Sequence, residues 1–99
     1  MYRIIGTRCT GKTSRLMLIA KENNAIFVCS NPAAMETKAR AYGIAGLEFI
    51  SYENFAEGLR GYQNNVPVVI DDLDTYISYI VKATCNGKLI GYTISEDEN

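Results

Sequence analysis

Histidine is absent from this 99-residue sequence, and its three cysteines, Cys9, Cys29 and Cys85, include no Cys-x-x-Cys pair. That excludes the usual zinc centres, which need four ligands at short regular spacings, and leaves three free thiols of the kind a reducing cytoplasm keeps. Positive charge is not in excess. Ten Lys and Arg against eleven Asp and Glu give a formal net charge of -1, so no global field gathers nucleic acid or anionic lipid, and any nucleic-acid contact would have to be local. Long apolar runs are missing too. No stretch approaches the roughly 18 apolar residues of a membrane span, and the opening Met1-Tyr2-Arg3-Ile4-Ile5 lacks the apolar core of a secretory signal. A cytoplasmic protein without membrane contact is expected. There are no internal repeats, low-complexity segments or linkers, and 47% hydrophobic with 21% charged residues suits one domain over residues 1–95, followed by an acidic tail over 96–99.

What is present is alternation. Short apolar runs follow amphipathic stretches along the whole chain, with turn residues at most joints. Tyr2 to Ile5 reads as a first strand, and a glycine-rich loop leads from it into a helix from Lys12 to Glu22, with Leu16, Ile19 and Ala20 on one face and Asn23-Asn24 ending it. Ala25 to Cys29 is a second strand. Asn31 is placed to cap a helix that begins at Pro32, where a missing amide costs nothing, and Gly43 stops it. Leu47 to Ile50 is a third strand, and Ser51 can cap a short helix, Tyr52 to Arg60, with Phe55, Ala56 and Leu59 turned mostly inward. Val66 to Ile70 is apolar enough to be covered on both faces. Leu73 to Thr84 is a fourth helix, Asn86-Gly87 a turn, and Lys88 to Ser95 a last strand. Strands joined by helical crossovers predict a parallel sheet of five strands, helices on both faces, and a ligand site beyond the strands' carboxyl ends.

The segment Gly6-Thr7-Arg8-Cys9-Thr10-Gly11-Lys12-Thr13 matches the phosphate-loop pattern G-x-x-x-x-G-K-[ST] in full, between an expected strand and an expected helix. At ordinary residue frequencies a chance match in a chain this long has a probability of roughly 0.3%. Each residue type has a physical reason. Gly6 and Gly11 permit backbone angles that turn successive amides toward an anion, and the helix that follows adds its free N–H groups and the positive end of its dipole. Lys12 supplies a mobile charge for the β- and γ-phosphates, and Thr13 a hard hydroxyl oxygen for Mg²⁺. Thr10 and Ser14 are further candidates for phosphate contact. Arg8 either reaches over the phosphates or is solvated surface, and Cys9 serves as a small side chain in the loop or as a thiol acidified by the helix.

Val68-Val69-Ile70-Asp71-Asp72 is an apolar strand ending in two carboxylates. Asp71 is the candidate for the Mg²⁺ shell and Asp72 for orienting an attacking water. The plainer alternative is that Asp71, Asp72 and Asp74 end a strand and cap the next helix.

Together these two motifs resemble the Walker A and Walker B segments of P-loop nucleoside triphosphatases, in the branch with an additional strand between the two motif strands. Ile26 to Arg40, IFVCSNPAAMETKAR, and Phe49 to Gly61, FISYENFAEGLRG, are similar in order and spacing to the following elements of superfamily-one helicases, with VVIDDLD where their second motif would fall. The resemblance implies a three-layer α/β/α fold whose last strand lies between the Walker A and Walker B strands. It also implies Mg²⁺-dependent ATP binding, as in small P-loop proteins of bacteriophages and prophages that serve DNA replication, recombination or packaging. Asp71-Asp72 replaces the family's usual Asp-Glu, which implies slow hydrolysis, and no second motor domain occurs within the 99 residues. Thr93 or Ser95 would occupy the position that senses the γ-phosphate, with a plain strand as the alternative. An arginine completing the site would then come from a second copy or a partner protein, with Arg8, Arg40 and Arg60 as the donors to test. No Asn-Lys-x-Asp segment speaks for guanine, and 99 residues leave little room for the acceptor site and lid of a small-molecule kinase. The alternative function is a non-catalytic nucleotide-binding or scaffold protein.

Overall fold

A computed structural model describes residues 1–6, 11–58 and 65–95. Among these the order is α1 (Lys12–Asn23), β1 (Ile26–Cys29), α2 (Pro32–Ala41), β2 (Glu48–Ser51), α3 (Tyr52–Glu57), β3 (Val68–Ile70) and α4 (Leu73–Cys85). Local chemistry sets most of these boundaries. Asn24 takes the left-handed conformation that ends α1, at φ 53°, as short polar side chains tolerate. Asn31 Oδ1 accepts from the Ala34 amide at 3.2 Å and Ser51 Oγ from the Asn54 amide at 3.1 Å, so both expected caps form.

The three strands make one parallel sheet in the order β2-β1-β3. Phe27 in the central strand stands opposite Phe49 on one side and Val69 on the other. All four residues of β1 are buried, as expected of a central parallel strand covered on both faces. Its odd-numbered side chains, Phe27 and Cys29, join Met17 and Ala20 of α1, Ala39 of α2, Ala25 and Ile44 in the main core. Phe27 meets Phe49 edge-on, with ring centroids 5.3 Å apart. Ile26 and Val28 alternate to the other face and are buried as well.

The sheet corrects the sequence-based expectation of five strands in a P-loop arrangement. Neither Tyr2 to Ile5 nor Lys88 to Ser95 is a strand, so among the described residues no last strand lies beside β3, and β3 is the edge of a three-stranded sheet. The physical reason is the missing burial. Ile5 is 78% exposed and Ile90 93%, and Tyr2, Tyr92 and Ile94 are also exposed. A strand needs a hydrogen-bonding neighbour and a surface to cover, and alternation along a segment guarantees neither. Thr93 and Ser95 accordingly belong to no strand end. Smaller corrections follow the same logic. β3 is shorter than Val66 to Ile70 and only half-buried, as an edge strand is, rather than covered on both faces. Within α3, Phe55 is half-buried and Ala56 exposed, while Leu59, Arg60 and Gly61 lie outside the described residues, as does the acidic tail. Met17, wholly buried, is the inward residue of α1 that its periodicity left unmarked.

Among the described residues, no helix is long and apolar enough to cross a membrane.

Candidate functional site

Parallel pairing carries the C-terminal end of β3 to the same edge of the sheet as the start of α1. There Thr13 Oγ1 donates to Asp71 Oδ1 at 3.4 Å, across 58 residues of sequence. The distance is long for a hydroxyl–carboxylate hydrogen bond, so the contact is weak and readily exchanged. Both groups are half-buried.

The turn before α1 is held by its own residues. Gly11 precedes the helix as its N-cap at φ 75° and ψ 19°. A Cβ at Gly11 would meet only Ser14 Oγ, at 3.7 Å, so the constraint there is the left-handed backbone rather than space. Ser14 Oγ and the Arg15 amide both donate to the Gly11 carbonyl, at 3.0 and 3.2 Å. The Lys12 ammonium donates to the Gly6 carbonyl, spanning the segment in which Thr7, Arg8, Cys9 and Thr10 lie outside the described residues.

At the acidic end, the Asp71 amide donates to the Val28 carbonyl at 2.9 Å, which continues the β1–β3 pairing one residue beyond β3. Asp72 turns the chain into α4 through the left-handed region, at φ 54° and ψ 69°, and its side chain makes no capping hydrogen bond. Asp72 is thus the N-cap residue of α4 by position without a side-chain cap, and Asp74 stands in the first turn of that helix. Burial first, and then the charge of Asp72, hold the Asp71 carboxyl above the usual carboxylate range, opposed by the Thr13 hydrogen bond and by the charges of Lys38 and Lys12. An ionised Asp71 thus sits in an unfavourable place that a bound cation would relieve.

Two contributors carried no motif. Lys38 of α2 bears on Asp71 electrostatically. Tyr52, the first residue of α3, is buried, and its hydroxyl donates to the Asp71 carbonyl at 2.6 Å with the Asp72 carbonyl at 3.3 Å. Burial, and then the negative charges of Asp72 and Asp71, push the phenol well up, so it remains a donor. The only available signal was position: Ser51 caps α3 at the C-terminal end of β2, the same sheet edge as Asp71.

Cys29, also at this edge, is buried, and burial followed by the charge of Asp71 pushes its thiol up to about 11. Arg40 is remote in role, exposed on α2 and paired with Glu36 at 3.0 Å. A separate open cleft lies at the opposite end of the strands, lined by Lys21, Asn24, Ile26 and Glu48 among others.

The oxygens present suit Mg²⁺. A hydroxyl and one carboxylate converge, and Mg²⁺ keeps several waters while taking only one or two protein carboxylates. Among the described residues no group of three or more His, Cys, Asp or Glu is arranged to hold a metal ion by itself. Comparison with protein-family profiles, curated proteins and solved structures finds no match to this chain.

Proposed function

We propose that the chain binds the triphosphate of ATP with Mg²⁺ between the start of α1 and the end of β3, and hydrolyses it slowly. The observation that carries this reading is the approach of Thr13 Oγ1 to Asp71 Oδ1 at 3.4 Å, at the head of a helix that begins from a glycine N-cap. The complete phosphate-loop match of Gly6 to Thr13 supports it from the sequence. Free N–H groups and the helix dipole favour an anion there. Lys12 trades its Gly6 carbonyl for phosphate oxygens, and Thr13 and Asp71 hold the cation. When bound, Mg²⁺ neutralises charge on the β- and γ-oxygens. Asp72, whose side chain makes no capping hydrogen bond, orients the attacking water.

Hydrolysis is slow because the carboxylate at position 72 is short and an arginine in trans would be worth about 10³ to 10⁵ in rate. A second copy or a partner protein supplies that arginine where turnover is needed. ATP is the expected nucleotide since no guanine-reading segment occurs. The same geometry serves a non-catalytic nucleotide-binding protein if Asp72 holds no water.

The test is the thermal midpoint with ATP and GTP, with and without Mg²⁺. A ligand at a hundred times its Kd adds about 2.7 kcal/mol, which for a domain of this size raises the midpoint by at least about 10 °C. An unmoved midpoint overturns the proposal. Steady-state ATP turnover that disappears in Lys12→Ala separates the hydrolase from the non-catalytic alternative.

A further inference from the structure

We infer that Tyr52 is a positioning residue for the metal carboxylate: its buried phenol holds the Asp71–Asp72 turn so that Asp71 faces Thr13. This rests on the Mg²⁺-phosphate reading and adds a residue on a separate element to it.

The turn is set from several sides. Asp72 takes the left-handed region at φ 54°, which a short polar side chain tolerates but which leaves the direction of the neighbouring Asp71 to its surroundings. The Asp71 amide is tied to β1 through Val28, and the Asp72 carbonyl accepts from the Tyr76 amide at 3.0 Å as α4 begins. Between these two ties lies the Asp71 carbonyl. It is received by Tyr52 Oη, at 2.6 Å, the shortest side-chain contact to this turn.

Tyr52 is itself fixed in place. Ser51 caps α3 just before it, and its ring packs edge-on against Tyr76, with centroids 5.3 Å apart, and beside Tyr79 at 6.2 Å. Both partners are on α4, so the phenol, the carboxylate turn and the helix that leaves it form one packed unit. The hydrogen bonds of the phenol go to the Asp71 and Asp72 carbonyls. Its effect is on the direction of the Asp71 side chain, and outer partners of this kind typically govern metal affinity by about 10 to 100-fold.

The experiment uses the full chain with Tyr52→Phe, which removes one oxygen and keeps the ring. ATP affinity is measured by calorimetry in EDTA and in Mg²⁺, and amide exchange is followed at Asp72 and Leu73. Expected are an unchanged affinity in EDTA, an approximately tenfold weaker affinity in Mg²⁺ and faster exchange at the two amides. Para-aminophenylalanine at position 52, which returns an N–H donor, restores the Mg²⁺-dependent affinity. It also keeps the question decidable if Tyr52→Phe does not fold, because failure of this variant to regain the Mg²⁺ gain overturns the role. Equal losses in EDTA and Mg²⁺ mark Tyr52 as merely structural and overturn it too. Wild-type Mg²⁺ dependence in a folded Tyr52→Phe overturns the inference while leaving the metal reading intact. A native protein whose ATP affinity ignores Mg²⁺ overturns both.

Discussion

Phe27→Ala removes the centre of a small core. Phe27 is wholly buried in the middle strand, between the partners Phe49 and Val69, and meets the Phe49 ring edge-on at 5.3 Å. Truncating a buried phenylalanine costs about 3–5 kcal/mol. The lost ring pair, worth about 0.5–1.5 kcal/mol beyond its area, places this site in the upper half of that range. A domain of 99 residues has a total stability of about 5–15 kcal/mol. A three-stranded sheet with exposed apolar segments at Ile5, Ile90 and Tyr92 belongs near the bottom of it. The variant should therefore retain at most about 1 kcal/mol, with the melting midpoint lowered by roughly 16–40 °C. Far-ultraviolet circular dichroism on heating, checked by urea titration, measures this. Ile90→Ala is the control, since a side chain 93% exposed should cost less than about 0.5 kcal/mol. A shift below about 5 °C for Phe27→Ala, or a loss above about 2 kcal/mol for Ile90→Ala, would refute the packing argued for this sheet.

Three further outcomes are expected. Asp71→Asn should raise the melting midpoint of the nucleotide-free protein at neutral pH while abolishing the Mg²⁺ effect. The sign follows from linkage: a folded-state carboxyl held above its unfolded value binds extra protons, so its contribution to stability is lost as pH rises through that raised range. In the wild type the Mg²⁺-dependent shift should correspondingly fade on acidification at a pH above the usual carboxylate range, because protonated Asp71 cannot hold the cation. Cys29, buried with its thiol pushed up to about 11, should resist iodoacetamide at pH 8 in the native protein while exposed Cys85 is alkylated, as peptide mapping would report. Asn31→Ala should cost about 1 kcal/mol by urea titration, through the lost cap on the Ala34 amide.

The sequence was most legible where a residue's local chemistry decides the outcome. Asn31-Pro32 and Ser51 begin helices, Asn24 ends one, and Ile26–Cys29 is apolar throughout because both faces are covered. It was least legible where the outcome depends on a distant neighbour. Lys88 to Ser95 was expected as a last strand, yet whether an edge receives it is settled by tertiary packing, and among the described residues β3 pairs only with β1. The site divides the same way. The two motifs single out Thr13 and Asp71, and these two residues do approach one another. Tyr52 was not singled out, because a tyrosine that donates to two main-chain carbonyls looks in sequence like any half-apolar helix residue.

The most direct measurement is a double-mutant cycle on the Mg²⁺-dependent part of ATP affinity, by calorimetry, with Thr13→Val, Asp71→Asn and the pair. If the two oxygens serve one cation, each single variant should lose the Mg²⁺ gain and the pair should lose no more. Losses that add, or a Mg²⁺ gain that survives Asp71→Asn, would contradict a shared metal site.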